Sequence, residues 1–385
     1  MEVGFLNITL KGVTHTAIYK IRDSVDVYTI QDDILYFYFI NTRISKQYRV
    51  SKETIALIGL IDGKSTISEL TQRYNHSQSK SVTEETIQKV LSFLEQENVI
   101  IPVRKSDSSP EWSERYDRQL NFLEELGTKD YSGIQCQQLI QKQTILIFGV
   151  GAVGGDIALQ LAMAGFGKFI LVDDSLVSPS CKCRHLYYRE KYLGMLKIEA
   201  LKSEIKAINS AIQVETIPLR IEPDTEISEL IKRATFVINT ADEPYIGFTS
   251  LKISRECCRQ KKPHYIAGGF DIHCMSTGEL IVPGLTPCSD CYTNYFHKKL
   301  DGWLPLNKAV VDTQNEYGGF SAQSLFSASF ASMEIIKYLC GFMNRKTRFQ
   351  TRGEMDMENY SIHYIDVEKD PHCKTCGGIT YEPQN

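Results

Sequence analysis

The pattern of apolar and polar positions changes along the chain, and each pattern predicts one kind of element. Residues 26–50 are rich in Tyr, Ile, Val and Phe and are interrupted by Asp-Asp and Asn-Thr, which predicts two or three strands in hairpins. Residues 51–61 change to helical spacing, with Ser51 as the expected N-cap. Residues 144–174 read as a buried strand, a glycine turn, a helix and a second buried strand. The chain therefore begins as α+β and continues as α/β.

Two further helices are predicted in the N-terminal part. Asp62-Gly63 marks the expected end of the first helix, Ser65 or Thr66 caps a short second one, and residues 81–101 form a third helix that runs into a strand. This order is typical of a winged-helix-like module. Around "DGKSTISEL" it resembles the small peptide-clamp domains of the PqqD type, which bind a leader peptide as an added strand. A structural cap without a ligand is the alternative.

Length and composition set the domain organisation. The 385 residues suffice for two or three domains. We predict a winged-helix-like clamp over residues 1–104, a polar linker with a proline over 105–113, and an α/β domain over 114–385.

Charge and hydropathy exclude several function classes. With 42% hydrophobic and 23% charged residues and a net charge of −4, the chain resembles ordinary globular proteins and predicts no nucleic-acid surface. No apolar run approaches the ~20 residues of a membrane span, and the N-terminus lacks the layout of a signal peptide. The eleven cysteines are therefore expected as thiols and metal ligands in a cytoplasmic protein.

A glycine motif follows the first buried strand. Gly149, Gly151 and Gly154 form G-x-G-x-x-G between that strand and a helix, which predicts a turn that admits phosphate to the helix N-terminus. The next strand ends in Asp173 and Asp174, about 20 residues after the last glycine, where an acid can bind a ribose diol. These residues predict a nucleotide of the adenosine type, and NAD remains possible at this point.

Charged residues downstream favour ATP over NAD. Arg184 and Lys197 lie beyond the ribose acid, and Asp242 ends the next buried strand, "ATFVINTAD". Cations at this edge of the sheet would neutralise charge that develops during attack on the α-phosphate. A carboxylate beside the phosphates is a natural Mg²⁺ ligand.

These motifs resemble the adenylating enzymes of the MoeB, ThiF and ubiquitin-activating type, over roughly residues 112–380. "ERYDRQLNFL" is similar to the family's R-Y-x-R-Q segment, whose second arginine reaches the ATP phosphates across a dimer interface, which implies this role for Arg118. The resemblance also implies a Rossmann-like doubly wound sheet and a homodimer. It assigns the ribose contact to Asp173, the phosphate contacts to Arg184 and Lys197, and the metal to Asp242.

Three positions depart from the family pattern. Ser175 replaces the second aspartate of D-x-D, Cys181 replaces an asparagine that helps to hold the phosphates, and His185 replaces a glutamine. These changes are compatible with a divergent activator.

Four cysteines form two C-x-x-C pairs, each in a turn. Cys288 with Cys291 and Cys373 with Cys376 have the ligand spacing of a structural tetrahedral zinc, and the family has the same arrangement. Free or redox-active thiols are the alternative. No cysteine occurs between the first pair and Cys340, which disfavours a thioester step in this crossover segment.

We therefore expect Mg-ATP-dependent adenylation of a carboxylate. A clamp fused to an adenylating domain resembles the activators that modify ribosomally made antibiotic peptides, of the microcin C (MccB) and pantocin (PaaA) types. The resemblance implies a precursor peptide bound through its leader, and the departures at Ser175 and Cys181 favour pantocin-type dehydration and cyclisation of glutamate side chains. The alternatives are C-terminal peptide adenylation, activation of a sulfur-carrier or ubiquitin-like protein, and a non-catalytic peptide-binding homologue.

Overall fold

The structure is a computed structural model, and the chain forms two compact units, residues 1–127 and 128–385. It describes residues 16–31, 33–103, 109–126, 132–271, 274–299, 319–342 and 352–381.

Where it is described, the first unit combines antiparallel strands with four helices. Its strands are β1 (Tyr19–Ile21), β2 (Val25–Ile30), β3 (Ile34–Phe39), β4 (Ile44–Arg49) and β5 (Ile100–Pro102). Its helices are α1 (Lys52–Ile58), α2 (Ile67–Ser77), α3 (Glu84–Gln96) and α4 (Pro110–Leu126). Strands β2, β3 and β4 form one sheet in that order, and β1 pairs with β5. The predicted order of elements is confirmed, whereas the winged-helix identity stays a prediction.

Local hydrogen bonds explain where these helices begin. The Ser51 hydroxyl accepts from the Thr54 N–H at 3.3 Å, and Thr66 forms a capping box with Glu69. Helix α1 ends at Ile58 with Gly59 as its C-cap, earlier than the predicted end at Asp62-Gly63. The Asp62 carboxylate instead accepts the N–H groups of Lys64 and Ser65 and holds a separate turn.

An apolar cluster forms the core of the described part of the first unit. Leu35 and Phe37 of β3 lie on the face of the sheet that packs toward the helices, where they meet Ile67 of α2 and Leu91 of α3. Alternate positions of the strand are less buried, as expected when one face of a sheet is covered.

The second unit is built on a six-stranded mixed sheet with the order β13–β10–β9–β6–β7–β8. These strands are β6 (Thr144–Phe148), β7 (Lys168–Val172), β8 (Gln213–Ile217), β9 (Phe236–Asn239), β10 (His264–Ile266) and β13 (Glu279–Ile281). All neighbours are parallel except β13, which is antiparallel to β10. This arrangement confirms the predicted Rossmann-like α/β fold.

Seven α-helices, two short 3₁₀ helices (Pro179–Cys183 and Glu190–Tyr192) and a second sheet complete the described part of this unit. The helices are α5 (Gly133–Gln141), α6 (Ala152–Met163), α7 (Lys197–Ile208), α8 (Ser228–Arg233), α9 (Ile246–Arg259), α10 (Ser289–Lys299) and α11 (Ser321–Leu339). The second sheet contains β11 (Phe270–Asp271), β12 (Cys274–Ser276), β14 (Arg352–Asp356) and β15 (Ile362–Ile365) in that order.

Helix α6 is packed between the main sheet and α11. It is apolar on nearly all sides, which fits a helix buried within a domain. It begins at Ala152, earlier than the sequence predicts, so Gly154 lies in its first turn and not before it. Among the described helices, none combines the length and the apolar character that crossing a membrane requires.

Candidate nucleotide-binding and active site

The predicted nucleotide residues meet at one edge of the main sheet. Strand β6 lies between β7 and β9, and the chain passes from β7 and β8 back across β6 to β9. Phe148 is in register with Val172 on one side and with Asn239 on the other, so the three strands end at the same level. Ligands of open α/β sheets bind where the strand order reverses in this way.

The glycine turn is closed by contacts that require glycine. Gly149 has φ +79°, and a Cβ there would lie 2.7 Å from the Ala241 backbone nitrogen. A Cβ on Gly154 would lie 2.2 Å from the Gly149 carbonyl oxygen. The Thr240 hydroxyl donates to that same oxygen at 2.6 Å. The turn is therefore packed tightly against the end of β9, as the first and third glycines of the motif predict.

Gly151 has the opposite environment. It is the N-cap of α6, and a Cβ built on it would meet no atom within 4 Å. No side chain of the described residues caps this helix end. The start of α6 thus has open space beside Gly151 and uncapped N–H groups, a combination that suits an anion such as phosphate.

Asp173 binds the backbone on both sides of the cleft edge. Its Oδ2 accepts from the Val150 N–H and its Oδ1 from the Ser175 N–H, each at 2.8 Å. The residue therefore fixes the glycine turn to the end of β7, and its remaining lone pairs are available to a ribose hydroxyl. Asp174 is exposed and lies 4.0 Å from the guanidinium of Arg220.

Arg184 and Lys197 bring two cations to this cleft. Lys197 is the first residue of α7, and its N–H donates to the Ser175 carbonyl at 2.9 Å, which ties the helix to the segment after β7. Both cations contribute to lowering the pKa of His185, so each of them lies near that ring. Among described residues, neither side chain has a hydrogen-bond or ion-pair partner. Their charge is therefore available to an anionic ligand.

Asp242 follows β9 at the mouth of the cleft. Its side chain is exposed, yet the surrounding protein partly desolvates it and raises the pKa of its carboxyl, while Lys197 acts in the opposite direction. Asp173 also influences this pKa, which places the two carboxylates on the same cleft. The neighbouring Glu243 is instead paired with Arg220. A carboxylate in this position can hold Mg²⁺.

Arg118 belongs to the first unit, whereas the other predicted site residues belong to the second. It lies on α4 in the first unit and is exposed, without a side-chain partner among the described residues. Its role across a dimer interface stays a prediction.

The departures from the family pattern form a connected loop. Ser175 uses its N–H for Asp173 and its carbonyl for Lys197. Cys181 is buried, and its sulfur accepts from the Ser178 N–H at 3.4 Å. The Cys181 carbonyl in turn accepts the His185 N–H at 2.9 Å. These residues therefore shape the loop that carries Arg184.

Sequence reasoning missed two residues that support the site, Thr240 and Tyr187. Thr240 follows β9 and binds the glycine turn, and Tyr187 is buried with its hydroxyl 2.6 Å from the Val150 carbonyl. The buried strand before "TAD" predicts that Thr240 lies at the cleft edge of the main sheet. No local pattern predicts its hydrogen bond to the glycine turn. Nothing in the spacing of Tyr187 indicates its contact, because the contact depends on the path of the loop.

The four predicted metal ligands come together in the second unit. The sulfur atoms of Cys288, Cys291, Cys373 and Cys376 lie within 4.8 Å of one another, and all four residues are buried. Neighbouring sulfurs are 3.9, 3.7 and 3.5 Å apart. Four thiolates bound at about 2.3 Å to one tetrahedral ion would stand about 3.8 Å apart. The cluster therefore has dimensions that fit a single zinc ion.

A salt bridge holds the two cysteine pairs in place. Asp290, between the first two cysteines, accepts from Arg255 Nε at 3.0 Å and Nη2 at 2.7 Å. Thr375, between the last two, donates to the same carboxylate at 2.6 Å. The polypeptide thus connects the two C-x-x-C turns even apart from the metal.

Comparison with known proteins decides the family. The family model described as "ThiF family" matches residues 116–375. The chain belongs to the ThiF family. The resemblance to adenylating enzymes is thereby confirmed, and as a ThiF-family adenylating enzyme the protein uses ATP with Mg²⁺ to activate a substrate.

Curated relatives of this ThiF protein include two groups. Protein HesA, heterocyst, of Trichormus variabilis is 27% identical over 276 residues, covering 70% of this chain and 90% of the relative. Adenylyltransferase and sulfurtransferase UBA4 of Lodderomyces elongisporus is 24% identical, covering 80% of this chain and 60% of the relative.

Solved structures of similar fold extend over both units. Escherichia coli MccB, solved with AMPCPP and MccA, superposes with a TM-score of 0.70 at 20% identity and covers 93% of this chain and 99% of that chain. PaaA superposes with a TM-score of 0.69 at 20% identity and covers 90% of this chain and 99% of that chain. At this identity the likeness concerns the fold.

Proposed function

We propose that this ThiF-family enzyme adenylates a carboxylate on a ribosomally made precursor peptide during antibiotic biosynthesis, and that the activated carboxylate is a glutamate side chain, which then cyclises with loss of water. The observation that carries the proposal is the combination of the ATP cleft with a similarity to MccB that spans both units. MccB has been solved with a nucleotide analogue and with the peptide MccA. The departures at Ser175 and Cys181 favour the pantocin-type outcome over C-terminal adenylation.

The cleft supports attack on the α-phosphate. A peptide carboxylate oxygen forms a bond to the α-phosphorus, and the bond to the leaving pyrophosphate breaks. Arg184 and Lys197 neutralise the charge that builds up on the phosphoryl oxygens. Their charges are available for this role because neither side chain has a partner in the described chain. The N–H groups at the start of α6 hold the phosphates, Asp173 orients the ribose, and Asp174 lines the same side of the cleft.

A bound Mg²⁺ would supply Lewis-acid stabilisation of the negative charge on the phosphates. Asp242 would hold this ion, since it is the acidic side chain at the end of β9 that is not paired with Arg220. Arg118 would complete the cleft from the partner subunit of a homodimer, in the cytoplasm where ATP is available.

The first unit would bind the leader of the precursor peptide. Within the described residues, β2 and β4 are the edges of its three-stranded sheet. Strand β4 alternates exposed and half-buried side chains, and Ile44 is 55% exposed. An extended peptide added to such an edge would gain backbone hydrogen bonds and an apolar contact.

The cysteine cluster would hold a structural zinc ion. Four thiolates satisfy a tetrahedral ion and leave no position for water, so the metal would stabilise the fold and take no part in catalysis.

Activation of a sulfur-carrier or ubiquitin-like protein is the second candidate. The similarity to UBA4, an adenylyltransferase and sulfurtransferase, favours it. The missing cysteine in the crossover segment before Cys340 argues against a thioester step at that place.

Mass spectrometry tests the proposal. The full chain is incubated with Mg-ATP and, one at a time, with the short peptides encoded beside its gene. Loss of one water per activated carboxylate is the expected result. Gain of an adenylyl group would favour the microcin C type instead, and an unchanged peptide together with thiocarboxylate formation on a sulfur-carrier protein would favour the second candidate.

A further inference from the structure

One peptide unit of the glycine turn is held from both sides. The Val150 N–H donates to Asp173 at 2.8 Å, and the Val150 carbonyl accepts from the Tyr187 hydroxyl at 2.6 Å. Val150 stands between the first two glycines of the motif. Its two backbone groups are therefore fixed by side chains that come from different segments.

His185 determines which way the Tyr187 hydroxyl points. A carbonyl can only accept, so the single proton of the hydroxyl is used on Val150. His185 Nδ1 lies 2.9 Å from the same hydroxyl oxygen and must therefore be the donor to it. Burial, with help from Lys197 and Arg184, lowers the pKa of His185 to about 4. The ring is thus neutral at physiological pH, with its proton on Nδ1.

The orientation of the Val150 carbonyl determines that of the next N–H. In a planar trans peptide the C=O of one residue and the N–H of the next point in opposite directions. With the Val150 carbonyl directed to Tyr187, the Gly151 N–H is directed away from that loop. It has no acceptor among the described residues, and the space beside Gly151 is open.

We propose that Tyr187, oriented by His185, is a positioning residue that aims the Gly151 N–H at a phosphate of the bound nucleotide. The inference rests on the proposed function in taking ATP as the ligand. It assigns a role to the His185 departure that the family pattern does not provide.

Gly155 is matched to Tyr187. A Cβ on Gly155 would lie 2.4 Å from Cε1 of the Tyr187 ring, so the fully buried ring occupies space that only glycine leaves open. The second glycine of "VGG", Gly155, therefore leaves the space that the Tyr187 ring occupies.

Nucleotide binding to the full chain tests the proposal, with ATP, AMP and adenosine as probes. In Tyr187→Phe we expect ATP and AMP to bind about tenfold more weakly, the loss of roughly one oriented hydrogen bond to a charged group, and adenosine to bind within twofold of wild type. The matched control is Tyr192→Phe, which removes another hydroxyl of the same loop, one bonded to Glu204 at 2.8 Å, and should change none of the three affinities.

Unchanged ATP affinity in Tyr187→Phe, or an equal loss for adenosine, would overturn the positioning role. A wild-type chain that binds no ATP would instead overturn the proposed function, so the two failures are distinguishable.

A second set of variants guards against misfolding. His185→Asn keeps a donor near the position of Nδ1 and should retain ATP affinity within about threefold, whereas His185→Ala should resemble Tyr187→Phe. Gly155→Ala should lower the melting temperature in the wild type but not in a Tyr187→Leu background, where the ring is gone. Equal effects in the two backgrounds, or equal affinities of the two histidine variants, would contradict the assignment.

Discussion

The nucleotide cleft and the cysteine cluster belong to the same unit, yet they differ in whether their polar side chains have partners within the protein. In the cluster, four buried sulfur atoms lie close together. Arg255 and Thr375 both donate hydrogen bonds to the Asp290 carboxylate. In the cleft, Arg184 and Lys197 have no side-chain partner among the described residues. The comparison indicates that polar side chains that bind one another stabilise the fold. Charged side chains that stay unpaired at an open edge of the sheet are instead available to a ligand and its chemistry.

Removal of a cleft cation should have the largest effect on activity. We expect Lys197→Ala to lower the rate of pyrophosphate release by about 10²–10³-fold, because it removes charge that stabilises the transition state. The melting temperature should stay within a few degrees of wild type, since the side chain makes no described bond.

The matched control is Lys202→Ala on the same helix, whose ammonium lies 3.7 Å from Glu199 at the surface. It should retain wild-type activity. A Lys197→Ala enzyme with full activity would remove Lys197 from the mechanism.

Loss of a cysteine of the cluster should have the opposite effect, lowering stability while leaving activity in place. Cys373→Ser should lower the melting temperature by roughly 10 °C, because losing a metal ligand costs a few kcal/mol and each 1 kcal/mol shifts a domain of this size by ~2–4 °C. At temperatures where the variant remains folded, pyrophosphate release should persist.

Calorimetry and metal analysis of the purified chain check this prediction, with the exposed Cys183→Ser as control. One zinc per wild-type chain and less in Cys373→Ser is expected. A metal-free wild type of equal stability would refute the structural zinc.

The buried carboxyl group of Asp156 should make the stability of the fold depend on pH. Asp156 of α6 is fully buried, and its Oδ2 accepts from Ser324 of α11 at 3.1 Å. Its Oδ1 has no hydrogen-bond partner in the part of the chain that the structure describes. Burial raises the pKa of this carboxyl from 3.8 to about 7. Protonation therefore favours the folded state; this contribution is complete below pH 3.8 and disappears as the pH rises to about 7.

Asp156→Asn cannot ionise, so its stability relative to wild type should increase with pH. The full shift corresponds to at most about 4 kcal/mol, and we expect a gain of at least about 1 kcal/mol between pH 5 and pH 8 in urea unfolding. A difference that is constant with pH would mean that Asp156 ionises normally.

The smallest expected effect is the pH dependence of the magnesium requirement. Because the pKa of Asp242 is raised, its carboxylate is lost at a higher pH than that of an ordinary aspartate. The Mg²⁺ concentration for half-maximal activity should therefore rise a few-fold as the pH is lowered toward this pKa. Asp242→Asn should need far more Mg²⁺ without that pH dependence, and the exposed Asp224→Asn should behave as wild type. Identical magnesium curves for all three would exclude Asp242 as the ligand.

Much of this architecture could be predicted because its signals are local. The apolar runs at β6 and β7, the glycine positions and the two C-x-x-C spacings follow directly from steric and ligand rules. The four cysteines converge as expected, and Arg184, Lys197 and Asp242 occupy the same edge of the sheet.

The remainder depends on tertiary contacts without a local pattern. The bond from Thr240 to Gly149 and the seat of Tyr187 against Gly155 join segments distant in sequence. Asp173 illustrates the limit well: its spacing suggests a ribose ligand, while the structure shows that its carboxylate also holds the glycine turn in place.

The most direct test of the central claim is ATP–pyrophosphate exchange by the wild-type chain. With Mg²⁺ and the precursor peptide encoded beside the gene, we expect labelled pyrophosphate to enter ATP, and exchange to vanish when the peptide's glutamates are replaced by glutamine. Exchange that survives those replacements, or that requires a sulfur-carrier protein in place of the peptide, would contradict adenylation of a peptide glutamate.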